Sequence, residues 1–111
     1  MDADHTGVRR RTYRAGRLEI RPKDHIALVD GRPLSLTMRE LKLLSALAAH
    51  PQRILTRQEL YAEVWGREKR RSDRSVDVYV SRLRAKLAAA LPEKTLIHTH
   101  TGIGYRFSSG N

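Results

Sequence analysis

The chain has 111 residues, 40% of them hydrophobic, which suffices for one small domain around a single core and is too little for two. It contains no cysteine, which excludes disulfides, thiolate metal sites and cysteine nucleophiles, and no apolar stretch approaches the roughly 20 residues needed to cross a bilayer. Lysine and arginine total 22 against 12 acidic residues, a formal charge of +10, so a polyanion is the first partner to consider.

The start, Met1-Asp2-Ala3-Asp4-His5, has neither the basic nor the apolar region of a secretion signal, and a cytoplasmic location is expected. Residues 1–12 hold no hydrophobic periodicity and end in the basic cluster Arg9-Arg10-Arg11, which reads as a flexible arm or linker. From Tyr13 the pattern is strand-like. Leu18 and Ile20 alternate with Arg17, Glu19 and Arg21, then Ile26-Ala27-Leu28-Val29 forms a short apolar run followed by Asp30-Gly31 and Leu34-Ser35-Leu36. Asp-Gly between two such runs predicts a hairpin, because both residues accept the positive φ of a tight turn. Pro22 and Pro33 fall at strand margins, where a missing donor does little harm.

Thr37-Met38-Arg39-Glu40 opens a helix with a capping box, and its Leu41, Leu43, Leu44, Leu47 and Ala48 cover an arc wide enough to be buried on more than one side. That helix ends before Pro51. A second capping box, Thr56-Arg57-Gln58-Glu59, starts a shorter helix in which Leu60 with Val64, and Tyr61 with Trp65, pair at one-turn spacing; Gly66 ends it. Arg67 to Asp73 is a charged loop, with Ser72 or Asp73 placed to cap the next helix.

That third helix, predicted over 74–87, has two faces. Val76, Val80, Leu83 and Leu87 form a narrow core stripe, and Arg74, Val78, Ser81, Arg82 and Ala85 lie opposite. Beyond Pro92 a strand is predicted from Thr95 to His100, a glycine-supplied turn at Thr101-Gly102-Ile103-Gly104, and a returning strand at Tyr105-Arg106-Phe107.

Strands, three helices and a hairpin, with the last helix basic on its outer face, predict an α+β winged helix-turn-helix over residues 13–108, with a short tail at 109–111. In that layout the last helix enters a major groove. Arg82, central on the outer face, is the candidate to bind guanine as a fork, while Arg74, Ser75, Arg84 and Lys86 at the ends and flanks meet phosphates. The hairpin tip lies along the backbone or in the adjacent minor groove. Val78 is either a stray exposed hydrophobe or an apolar contact for a thymine methyl. Aromatic residues make up only 5%, which disfavours the stacking platforms of single-strand and RNA modules and leaves duplex DNA as the partner. The competing class is a winged helix used for protein association, with DNA incidental.

The chain resembles the effector domain of OmpR/PhoB-type response regulators from Tyr13 through Ser108. The resemblance rests on the segments from Leu36 to Leu41, Leu55 to Leu60, Glu63 to Gly66, Ser75 to Leu87 and Thr101 to Phe107. It implies an N-terminal antiparallel sheet, three helices and a C-terminal hairpin, in a promoter-binding transcription factor. Arg82 and Val78 are then expected toward bases, and Arg74, Ser75 and Arg84 toward the major-groove backbone. The loop with Arg67, Lys69, Arg70 and Arg71 is expected to face RNA polymerase. The resemblance also implies an upstream phosphoacceptor receiver, absent from this chain, and head-to-tail dimers on directly repeated half-sites; an isolated domain is expected to be a monomer. Arg9-Arg10-Arg11 resembles the end of an interdomain linker. Many relatives carry arginine at the wing tip where this chain has Thr101, so a minor-groove arginine is not expected there; Arg106 on the return strand either partly substitutes, meets a phosphate, or forms a salt bridge within the domain.

Other residues have plainer readings. Trp65 is expected as a core anchor with one exposed edge, and Tyr79 either reaches a backbone phosphate or a base through its hydroxyl or packs against a neighbouring helix. His98 and His100 share a strand face at a spacing compatible with metal, but no third ligand is near in sequence, and they read as surface histidines without a bound ion. No paired carboxylates, phosphate-cradling loop or activated nucleophile point to an enzyme, and no cofactor is expected. Asp77 is expected in a salt bridge near the start of its helix.

Overall fold

The computed structural model describes residues 12–66 and 73–109. Two hairpins open the fold. Strands β1 (Tyr13–Ala15) and β2 (Leu18–Arg21) are joined through Gly16-Arg17, and β3 (Ile26–Val29) and β4 (Arg32–Pro33) through Asp30-Gly31. Asp30 and Gly31 sit at φ 53° and 79°, the positive pair a two-residue hairpin turn needs, and Val29 pairs with Arg32 across it. The four strands form an antiparallel sheet in the order β1-β2-β3-β4. Pro33 falls on its edge strand, and β4 is shorter than the predicted return through Leu36, although the Leu34 N–H still donates to the Ala27 carbonyl at 2.8 Å. A single 3-10 turn, Pro22–Asp24, links the hairpins.

Helix α1 (Met38–Ala48) begins at the predicted capping box: the Glu40 N–H donates to Thr37 Oγ1 at 3.1 Å and the Thr37 N–H to Glu40 Oε1 at 2.8 Å. Its wide apolar arc is buried as expected, with Leu43, Leu44 and Leu47 fully enclosed. Helix α2 (Arg57–Trp65) starts from the second box, whose two bonds are 2.8 and 3.0 Å, and stops at Gly66 in the left-handed region at φ 77°. Helix α3 (Ser75–Ala90) runs three residues past the predicted end. The Ser75 N–H donates to Asp73 Oδ1 at 2.8 Å, so Asp73 satisfies one of the helix's unpaired donors; Ser72 lies outside the described residues. Along α3 the stripe of Val76, Val80, Leu83 and Leu87 is at most 5% exposed, packed on α1 and α2.

Strands β6 (Ile97–His100) and β7 (Gly104–Phe107) form the predicted C-terminal hairpin, turning at Thr101-Gly102-Ile103 with Gly102 at φ 79°. The hairpin is not alone. A short strand β5 (Ile54–Thr56), not predicted from sequence, precedes α2 and pairs antiparallel with β7, giving a three-stranded sheet ordered β5-β7-β6. Arg17 in the first hairpin turn bonds both Asp30 and Glu93, tying the N-terminal sheet to the turn after α3. Lys94 Nζ donates to the carbonyl of Ser109, a residue expected in the tail.

The one buried charge in the described core is Glu40, 1% exposed, and its partner is Lys86 at 2.7 Å. Burial alone would raise the Glu40 pKa; Lys86 and the Thr37 N–H outweigh it and hold the carboxyl below its ordinary range. Removing the ammonium leaves a buried carboxylate with its cap bond only. Because Lys86 is itself part-exposed, Lys86→Ala is expected to lower stability by about 2 kcal/mol at pH 7, less than a fully buried pair would lose. A carboxylate with a lowered folded-state pKa stabilises above its unfolded pKa of about 4.3 and loses that contribution as pH falls through the folded value. The Lys86→Ala deficit should therefore shrink in acid, and urea titrations at pH 7 and pH 3 check this. A deficit unchanged with pH would show that the pair is not its source.

Candidate nucleic-acid interface

The outer face of α3 is open. Arg74, Ser81, Arg82 and Ala85 are exposed, and Val78 keeps 44% of its surface. Among the described residues neither Arg74 nor Arg82 pairs with a carboxylate. Small side chains at 81 and 85 let another backbone approach, and guanidinium groups bring donors in a planar fork suited to phosphate or to a guanine edge. Ser75, half-buried, opens the first turn at one end of this face.

One flank of the face is aromatic. The Arg82 guanidinium lies 5.2 Å from the Tyr79 ring centre, and Tyr79 meets Trp65 edge-on at 5.5 Å. Trp65 is stacked on Tyr61 at 4.8 Å with the rings 1° from parallel, and Arg39 covers Trp65 at 4.8 Å. Tyr61 is buried and Trp65 half-buried, as expected for a core anchor with an open edge. Tyr79 packs against the neighbouring helix, the second of its two expected roles.

The other flank is bound to the wing, the β6–β7 hairpin. Asp77 in the first turn of α3 accepts from Arg57 Nε of α2 at 2.7 Å and from the Tyr105 hydroxyl of β7 at 2.5 Å, so three elements meet at one carboxylate. Burial would raise the Asp77 pKa, but Tyr105 and Arg57 together hold it low, and in return the Arg57 pKa is raised by its bond to Asp77. The expected salt bridge at Asp77 is present, with a hydroxyl partner that sequence reading missed. Arg57 and Arg84 both approach the Tyr105 ring, at 5.1 and 5.3 Å.

Lys86 and Arg84, expected at phosphates, and Arg106, for which a partner within the domain is one of the expected alternatives, all bond inside the domain. Lys86 turns toward α1 and its buried Glu40, away from the outer face. Arg84 donates to the Ile97 carbonyl at 3.2 Å and to Thr99 Oγ1 at 2.5 Å, which commits it to the first wing strand. Arg106 donates to His100 Nε2 at 3.0 Å and to Gln52 Oε1 at 2.7 Å, so it braces the wing against the α1–β5 turn. The spacing of these residues on α3 and β7 is what suggested phosphate contacts; their partners come from elements 13 or more residues away, or across a sheet, and no helical periodicity reports those. The His100 Nε2 lone pair is thereby used in a hydrogen bond. Thr101 is exposed at the wing tip as expected, and beside it Ile103, 53% exposed, is an apolar tip residue that sequence reading passed over. Its place between two glycines in a turn was the available signal. The loop residues Arg67, Lys69, Arg70 and Arg71 and the arm with Arg9, Arg10 and Arg11 lie outside the described residues.

The family described as transcriptional regulatory protein, C terminal, matches residues 31–107. The chain belongs to this family of OmpR/PhoB-type effector domains. It is 47% identical over 74 residues to the response regulator MprA of Mycolicibacterium vanbaalenii, covering 67% of this chain and 32% of MprA. The DNA-binding domain of CpxR from E. coli is similar with a TM-score of 0.82 at 32% identity, covering 90% of this chain and 98% of that one. The RstA DNA-binding domain of Klebsiella pneumoniae, solved in complex with the RstA box, gives 0.79 at 33% identity, covering 89% and 98%. The chain spans between about a third and two fifths of the length of the curated relatives it matches. The match is thus to the C-terminal domain of transcriptional regulatory proteins, and the fold is the winged helix expected. No helix among the described residues is long and apolar enough to cross a membrane.

Proposed function

We propose that this effector domain binds double-stranded promoter DNA sequence-specifically, with α3 in the major groove and the β6–β7 wing on the backbone or adjacent minor groove. The observation that carries the reading is the open outer face of α3, where Arg74 and Arg82, neither bridged to a carboxylate among the described residues, flank exposed Val78, Ser81 and Ala85. Arg82 and Val78 meet bases; Arg74 and Ser75 meet the backbone in the major groove, Thr101 meets it from the wing, and Tyr79 acts through its ring, between Trp65 and Arg82. Arg84 and Arg106 act by holding the wing, and Lys86 by neutralising Glu40. The RstA domain's complex with its box lends support from a relative of similar fold.

The wider setting follows the family. The domain works in the cytoplasm behind a receiver, as the output of a two-component response regulator, and two copies lie head to tail on directly repeated half-sites. Arg67, Lys69, Arg70 and Arg71 face RNA polymerase, and the isolated domain is a monomer. Selection of bound sites from random duplexes, followed by a salt titration, tests the core of this reading. Raising salt should weaken all binding with a slope of roughly 0.9 per neutralised phosphate, while preference for the selected site persists. Discrimination that disappears along with the phosphate contribution would favour a protein-association module instead.

A further inference from the structure

We propose that Tyr79 is a specificity-determining positioning residue: its ring, braced by Trp65, holds the Arg82 guanidinium in place over the outer face of α3 before DNA arrives. The inference rests on the base-reading role proposed for Arg82. Tyr79 and Arg82 are three residues apart, hence neighbours on the helix surface, and the guanidinium is 5.2 Å from the ring centre, within cation–π range.

A tyrosine on a helix flank would ordinarily exchange rotamers and steer nothing. Tyr79 is held: Trp65 meets it edge-on at 5.5 Å, Trp65 is stacked on Tyr61 at 4.8 Å, and Tyr61 is 2% exposed in the core. Fixed structure thus extends from the core through three rings to a surface arginine. An arginine free in solvent must give up rotamer freedom when it forks onto a guanine edge, and one already resting on a fixed ring gives up less. Arg74, on the same face, has no ring contact among the described residues, which suits a residue that follows phosphates rather than reading bases. The hydroxyl of Tyr79 has no part in the device; only the ring does.

The test uses the whole chain, an operator selected from random duplexes, and the same duplex with the base pair read by Arg82 exchanged. Tyr79→Leu is expected to reduce the preference between the two about three- to fivefold, with affinity for the exchanged duplex unchanged. Tyr79→Phe keeps the ring and is expected to keep the preference. In an Arg82→Ala background, adding Tyr79→Leu is expected to change nothing further. Tyr79→Met carries the same expectation as leucine and replaces it should leucine unfold the domain. The proposal is overturned by an unchanged preference in Tyr79→Leu, by Tyr79→Phe losing as much as leucine, which would assign the effect to a hydroxyl contact, or by equal weakening on both duplexes. A preference that survives Arg82→Ala instead overturns the base-reading role itself, whatever Tyr79 does.

Discussion

Gly104→Ala is expected to destabilise the domain by about 3 kcal/mol or more, the range of an overpacked site that cannot relax. A Cβ at this position would lie 1.9 Å from the Leu55 carbonyl oxygen and 2.9 Å from Thr56 Cα, both backbone atoms of β5. No rotamer change can open that space, because Thr56 pairs directly with Gly104 across the sheet and also caps α2. Either β5 separates from β7 or the start of α2 shifts. Gly102→Ala in the wing turn is the control: it meets nothing within 4 Å, and only its φ of 79° resists, so about 1 kcal/mol is expected. Urea unfolding of the two variants measures the difference. An alanine at 104 as mild as one at 102 would mean that β5 does not lie against β7.

Arg82→Ala is expected to remove about 1–3 kcal/mol of discrimination at one base pair, roughly 5- to 150-fold in relative affinity. Arg74→Ala should behave differently. It is expected to weaken every duplex alike and to lower the salt slope by about 0.9, as loss of one phosphate contact does. The contrast follows from position, Arg82 at the centre of the exposed face beside Tyr79 and Arg74 ahead of the first turn. Competition binding with single-base variants of a selected site, at two salt concentrations, separates the two effects. Identical profiles for the two alanine variants across all sequences would refute the division of labour.

Much of the fold is carried by local signals that a linear reading can follow. The capping boxes at Thr37 and Thr56, the Asp30-Gly31 turn and the glycine stop at Gly66 each act within a few residues, and each lies where the sequence predicts. The stripe on α3 is legible for the same reason, since one period repeats along one helix. Strand β5 is different: three residues are too few for an alternation to register, and the pairing that makes them a strand comes from β7, about 50 residues later. The intradomain partners of three basic side chains are hidden from a linear reading for the same reason. Lys86, Arg84 and Arg106 look alike in sequence to arginines and lysines that meet phosphate, and only the fold brings Glu40, Thr99 and Gln52 to them. A charge on a basic helix tells its sign but not its partner. The joint at Asp77 was half legible, its sign pointing to an arginine while the Tyr105 hydroxyl stayed hidden across the sheet.

If the domain docks as proposed, the sheet shared by β5, β7 and β6 bears on the DNA as much as on the protein. Because the wing is laced to the strand that leads into α2, and Asp77 ties the start of α3 to both α2 and β7, the separation between α3 and the wing tip is set before any contact is made. Docked as proposed, the protein has little freedom to stretch, and groove width must adapt to a span it did not choose. Base steps that twist or bend readily would then be favoured at positions no side chain touches, a selectivity written in the mechanics of the duplex rather than in its hydrogen-bonding edges.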